Sequence, residues 1–124
     1  MEGIQVLNWD TEDWETVNPQ MKRKIISGAK ITVAQIALKD GFVVPMHSHI
    51  NEQITQVISG KMRFVFGGDD NSEVTLGPGD VIVIPADVPH EAHVIGDVFE
   101  IDTWSPRRED WINKTDDYLR SATS

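Results

Sequence analysis

The sequence predicts an all-β fold: a single jelly roll or small closed barrel followed by a short C-terminal helix. Two observations carry this. Between about residues 31 and 103, short β-prone runs rich in Val, Ile, Thr and Phe alternate with clusters of Gly, Pro, Asp and Asn at strand-and-turn spacing. Past residue 105 the apolar residues recur instead at helical spacing. At 124 residues the chain can bury one core and not two, so 1–124 is expected to be one domain, its barrel core at about 30–104 and its helix at about 106–120.

In chain order, residues 1–29, with Trp9, Trp14 and the acidic stretch from Asp10 to Glu15, read as a short strand with an irregular lead-in. Eight β-prone runs follow, at 30–38, 43–46, 54–59, 61–66, 73–76, 81–84, 90–94 and 98–103, enough for a jelly roll or closed barrel. Ser59-Gly60 reads as a tight hairpin and Gly67-Gly68-Asp69-Asp70-Asn71 as a longer one. Gly77-Pro78-Gly79-Asp80 reads as a turn launching the apolar run at Val81. In the last run Glu100, Asp102 and Trp104 share one face, while Phe99, Ile101 and Thr103 share the other. Ser105-Pro106 suits a helix N-cap with first-turn proline, and Glu109 and Asp110 suit the first turn. Trp111, Ile112, Thr115, Tyr118 and Leu119 then repeat along one helical face.

Composition excludes several functions. Apolar residues at 40% and charged residues at 25% are ordinary globular usage, so the chain is expected to fold unaided. With no cysteine there is no disulfide scaffold, no thiolate metal site and no thiol nucleophile. Twenty acidic against eleven basic residues give a net charge of −9, which repels phosphate backbones, and no Lys/Arg run makes an exception. Nucleic acid and membrane are not expected partners. The start Met1-Glu2-Gly3 lacks the basic and apolar pattern of a signal peptide, so the expected location is cytoplasmic.

His47 and His49 lie two apart in an extended segment, which turns both rings to one face. That suits chelation, although two exposed turn histidines would read the same way. Gln53 follows shortly, and His90 comes after the Pro85-Ala86-Asp87-Val88-Pro89 corner. Three imidazoles and an amide oxygen would suit one divalent transition metal such as Zn, Ni, Mn or Fe. His93 is three from His90 and so faces away from it, and Glu52 faces away from Gln53; both are expected outside the ligand set.

These spacings resemble those of the cupins. Gly41, five residues, His47-Ser48-His49, three residues, Gln53, six residues and Gly60 match the first cupin motif; Gly79, five residues, Pro85 and then His90 match the second. The resemblance covers roughly residues 30–103 and implies a cupin barrel in which His47, His49, Gln53 and His90 face one metal. Gln53 stands where cupins usually carry Glu, Asp87 where Gly is usual, and Val94 where Asn is frequent.

The tail is similar to that of the pectin degradation proteins, the uronate-ketonising cupins. It reads Asp102-Thr103-Trp104-Ser105-Pro106-Arg107-Arg108-Glu109-Asp110, an Asp-x-aromatic-Ser-Pro-x-Arg-Glu-Asp pattern. The resemblance implies that Asp102, Trp104 and Arg108 carry catalysis and substrate contact, with Trp104 where Phe is more usual. A 4,5-unsaturated uronate would become a linear 5-keto-4-deoxyuronate, with Asp102 moving a proton, Trp104 forming a stacking wall and Arg108 gripping a carboxylate. The small-molecule partner is then a carboxylate or sugar acid, and the resemblance implies a homodimer whose edge the 24–38 segment would supply. Arg23 and Lys24 could add charge at the barrel mouth, though for Arg23 and Arg107 an ordinary surface cation is the plainer expectation. A solvent-facing Glu100/Asp102 pair, a cupin oxygenase and a non-catalytic metal or small-molecule binder stay open. A lyase acting on a sulfonium compound is disfavoured because Tyr118, the only tyrosine, falls in the C-terminal helix.

Overall fold

Period-two burial organises the chain. In the strand Thr32–Leu38 every second residue is buried, from Thr32 to Leu38, while those between are partly exposed. The computed structural model describes residues 2–68 and 72–120. Eight strands run in order: β1 (Glu15–Asn18), β2 (Met21–Ser27), β3 (Thr32–Leu38), β4 (Val43–His47), β5 (Glu52–Phe66), β6 (Glu73–Leu76), β7 (Val81–Ile84) and β8 (His90–Ser105). Two helices follow, α1 (Glu109–Ile112) and α2 (Asp117–Arg120). No helix among the described residues is long and apolar enough to cross a membrane.

The long strands β5 and β8 take part in both layers of the jelly roll. Their outer ends, around Gln53 and Trp104, pair with each other, with β7 on one side and with β3, β2 and β1 on the other. Their inner ends, around Phe64 and Ala92, pair with each other, with β6 on one side and with β4 on the other. The ladder shifts register near Gly60, which takes φ +82. Ala34, Ile36 and Val57 from one layer and Met62, Phe64, Ala92 and Val94 from the other form the shared core.

Several expectations are corrected. Ser59-Gly60 is not a hairpin but a bend inside one strand, so 54–59 and 61–66 are one element; 90–94 and 98–103 likewise join as β8. β8 continues through the bend with extra residues between Ile95 and Phe99 opposite Gly60, so the irregularity is a bulge that does not reverse the chain. The first 29 residues hold a hairpin of two strands, β1 and β2, and the 24–38 segment spans β2 and β3 in the sheet interior, leaving β1 as the edge. Asp69, Asp70 and Asn71 of the expected long turn lie outside the described residues, while its flanks pair as a hairpin with Phe64 opposite Val74.

The expected 106–120 helix is two helices of four residues each, broken where Lys114 takes φ 58. Arg108, not Ser105, holds the N-cap position of α1. Tertiary contacts outweigh helical periodicity: Thr115, which a continuous helix would bury, is exposed, and Asp116 is buried in its place. Asp116 is held by Arg23 at 2.6 Å, with neither side chain exposed. The Arg23 guanidinium lies 4.2 Å from the centre of the Trp111 ring, so Arg23 is no surface cation. Lys24, on the opposite face of β2, is covered by the N-terminal segment, donating to the Trp9 carbonyl at 2.7 Å and lying 4.8 Å from the centre of the Trp14 ring. Arg107, by contrast, sits outside and pairs with Glu109.

Gly60 offers a direct check on the bend. A Cβ there would collide with the Asp97 carbonyl oxygen and the Val98 side chain, at a positive φ that side chains rarely adopt. Gly60→Ala should destabilise the fold by about 2 kcal/mol or more, seen as a lower urea midpoint with an unchanged slope.

Candidate metal centre

Four side chains converge at one end of the interior. His47 ends β4, His49 lies in the connection to β5, Gln53 is near the start of β5, and His90 opens β8. Pairing of β4 with β8 sets His47 directly opposite His90. Each ring is aimed by its Nδ1: His47 lies 2.7 Å from the Pro45 carbonyl, His49 2.9 Å from that of Asn51, and His90 2.8 Å from that of Val88. A carbonyl can only accept, so each Nδ1 carries the hydrogen and each Nε2 presents a lone pair. One ligand atom from each of the three lies within 4.8 Å of the others.

Gln53 turns its oxygen toward the three histidines and could add a fourth ligand atom. Trp104 Nε1 donates to Gln53 Oε1 at 2.9 Å, and Gln53 Nε2 donates to Thr55 Oγ1 at 2.8 Å. An indole N–H can only donate, so the amide oxygen, not its nitrogen, faces His49 Nε2 at 3.1 Å. Two lone pairs meeting at that distance repel unless a cation lies between them. His90 Nε2 is buried and has no hydrogen-bond partner among the described residues, a cost that a coordinated ion removes. Three nitrogens and one oxygen therefore fit a divalent transition metal.

Electrostatics keep the rings neutral. Burial, with help from His90, lowers the His47 pKa to about 3, and burial together with Arg108 lowers that of His49 to about 4. Burial depresses His90 as well. His93 sits on the outer side with its ring 2.5 Å from Glu91, and Glu52 is exposed, both as strand alternation requires.

His47, Gln53, His90, Glu100, Asp102, Trp104, Arg108 and Tyr118 line one cavity of about 40 Å³, room for an ion and a few waters. Glu100 and Asp102 are both buried, so the solvent-facing alternative for this pair does not hold. Burial and the Glu100 neighbour dominate this corner: burial raises Asp102 to about 6, and burial with the Asp102 charge raises Glu100 well above the usual carboxyl range.

Trp104 is 1% exposed, its ring 4.6 Å from that of Trp111. Its polar edge is engaged by Gln53, so it braces the Gln53 side chain beside the three histidines. Arg108 is 2% exposed and grips Asp110 through two bonds of 2.8 Å, while its backbone N–H donates to Thr32 Oγ1 at 3.0 Å. Burial disfavours its charge, but Asp110 and Tyr118 outweigh this and hold its pKa above the ordinary value.

Sequence reasoning missed two contributors. Tyr118 stacks on His47 with ring centres 4.6 Å apart and accepts from Arg108 at 3.0 Å. Its place in the C-terminal segment therefore does not keep it from the site, and chain position does not exclude a tyrosine-based lyase. Asn51 is buried and donates to the carbonyls of Pro106 and Arg107 at 2.5 and 3.2 Å, pinning the tail over the cavity. Helical spacing gave Tyr118 an inward face but nothing identified its neighbour; Asn51 carried no signal beyond adjacency to the ligand segment.

Strand-exchanged layers around an inward triad of histidines define a cupin, and the cupin domain model matches residues 35–103. The chain belongs to the cupin family. Among solved structures it is similar to KdgF from Halomonas sp., at 28% identity and a TM-score of 0.78, with 86% of this chain and 97% of that one covered. An RmlC-like cupin from Shewanella frigidimarina has the same fold at 24% identity and a TM-score of 0.77, covering 85% and 93% of the two chains. A germin-like protein of Ipomoea nil is 36% identical over 63 residues, 48% of this chain; the match spans 29% of that relative's length.

The His47→Ala/His49→Ala double variant should lose stoichiometric metal, measured by elemental analysis of the purified protein. The low histidine pKa values also set a pH window. Protons compete for the ring nitrogens of His47 and His49 near pH 3 to 4, and not near the ordinary value of about 6.5. Metal content after dialysis at about pH 5.5 should equal that at about pH 7.5.

Proposed function

We propose that this cupin is a metal-dependent enzyme that converts 4,5-unsaturated uronates, the products of pectin or alginate cleavage, into the linear 5-keto-4-deoxyuronate. The observation that carries the reading is the meeting of a raised-pKa carboxyl, Asp102, and a buried guanidinium, Arg108, in the same cavity as His47, Gln53 and His90. The resemblance of the Asp102-to-Asp110 tail to the uronate-ketonising proteins supports it, as does the likeness to KdgF over most of both chains.

The reaction is an isomerisation and needs only proton movement. As the bond between C1 and the ring oxygen breaks, Asp102 takes the C1 hydroxyl proton, leaving an aldehyde at C1 and an enolate at C5. Asp102 then returns that proton to C4, and the C5 oxygen becomes a ketone. A pKa of about 6 suits both halves, since acid and base forms are each populated near neutral pH. Arg108 binds the substrate carboxylate at C6, exchanging part of its grip on Asp110 for a fork of the same geometry. Trp104 keeps Gln53 Oε1 facing the histidines. His47, His49, Gln53 and His90 would hold a divalent ion, which would supply Lewis-acid stabilisation of the substrate oxygens.

A tyrosine-based elimination is the second reading, because Tyr118 stacks on His47. Burial raises the Tyr118 pKa, which works against a phenolate base at neutral pH and ranks this reading below the first.

Asp102→Asn keeps the shape of the side chain and removes its titratable oxygen. With an unsaturated uronate monomer, followed by loss of double-bond absorbance, kcat should fall by about 10²–10⁴-fold at unchanged metal content. Near wild-type turnover would reject the reading. Arg108→Ala should raise KM through loss of the carboxylate contact and should also move the acid limb of the kcat–pH profile upward, since Arg108 holds the Asp102 pKa down.

A further inference from the structure

We propose that Glu100 is a positioning residue for Asp102: the two carboxyl groups hold one proton between them inside the barrel, and Glu100 keeps it, donating to Asp102. This rests on the reading of Asp102 as the proton-transfer group.

The arrangement follows from strand alternation. Glu100 and Asp102 are two apart on β8 and both point inward, at 4% and 5% exposure. Across the ladders Glu100 is flanked by Ile36 and Val57, which offer no hydrogen bond and no charge. Asp102 is flanked by Ala34 and Thr55, and the Thr55 hydroxyl donates to it. Among the described residues, Glu100 Oε2 and Asp102 Oδ1 are buried without a hydrogen-bond partner. Two bare carboxylates this close, in an apolar surround, would carry an uncompensated double charge, whereas one shared proton converts repulsion into a hydrogen bond.

The other charged and titratable groups facing the pair decide which partner holds the proton. Arg108, on the tail that covers the cavity, lowers the Asp102 pKa, whereas among the described residues burial and Asp102 set that of Glu100. His47 of β4 and His90 of β8, on the same cavity wall, would carry no proton as ligands of a divalent ion, whose charge would add to that of Arg108 in favouring one ionised carboxyl, while burial raises Tyr118 of α2 and keeps it neutral. The anion therefore settles on Asp102, beside Arg108 and Thr55, and the proton on Glu100 among aliphatic side chains. The hydrogen bond from Glu100 then keeps Asp102 available as a base; without it the Asp102 pKa, already raised by burial, would rise further and less of the base form would be present for the first proton transfer.

Two measurements test this. Infrared difference spectra of the metal-loaded protein at about pH 7 should contain the carbonyl band of a protonated, buried carboxylic acid. That band should persist in Asp102→Asn and vanish in Glu100→Gln. Its absence from the wild type, or its loss in Asp102→Asn alone, overturns the proposal. In the kcat–pH profile, Glu100→Leu, which fills the space without a donor, should move the acid limb up by about one to two pH units. Glu100→Gln, whose amide can still donate, should leave that limb near the wild type. An unmoved limb in Glu100→Leu, or an equal shift in both variants, also overturns it. Should Glu100→Leu fail to fold, the infrared arm decides alone. A persistent band with no turnover of the uronate would sink the substrate reading and leave the shared proton standing.

Discussion

The cost of leaving a polar atom buried and unpaired, about 1–3 kcal/mol for each, governs the interior of this barrel. A jelly roll this small has little room inside, yet β8 sends His90, Glu100, Asp102 and Trp104 inward together. Each must be answered by something. Trp104 is answered by Gln53, and Gln53 in turn by Thr55. The three imidazoles are answered on their Nδ1 side by backbone carbonyls, which leaves their Nε2 atoms converging on a point that a cation satisfies. The two carboxyl groups are answered by one proton and by the field of Arg108.

The tail beyond β8 closes the interior from above, and its anchoring is electrostatic as much as apolar. Arg23 links Asp116 to Glu15, and Arg120 reaches the same two acids. Arg23 and Arg108 both lie over the Trp111 ring, at 4.2 and 5.1 Å. Helices of four residues are not stable by themselves; α1 and α2 persist because Trp111 and Leu119 are buried and because these ion pairs hold the segment between them. That anchoring fixes Arg108 and Tyr118 at the cavity, so the integrity of the tail and the geometry of the site are one problem.

Much of the site was legible because strand geometry is local. The two-residue spacing of His47 and His49, and of Glu100, Asp102 and Trp104, fixes which faces they share wherever the strands go. His93 and Glu52 were placed outside by the same rule. The bend at Gly60 was misread because a glycine in a bulge and a glycine in a hairpin carry the same local signal; only the continuation of β8 past the bend tells them apart. Arg23 was misread because composition assigns arginine to the surface, and burial became possible only when Asp116, far along the chain, arrived to pair with it.

The sequence by itself determined the all-β class and which residues share a strand face, and its lack of cysteine excluded a thiolate from any metal site. Periodicity and residue chemistry settle these without reference to distant neighbours. Tertiary structure alone decided that Tyr118 stacks on His47, that Asn51 pins the tail, that Trp104 braces Gln53, and that Glu100 and Asp102 are buried together in one cavity. These depend on which residues become neighbours across the ladders and under the tail, and so on the local dielectric and charge, which a chain acquires only when it has folded.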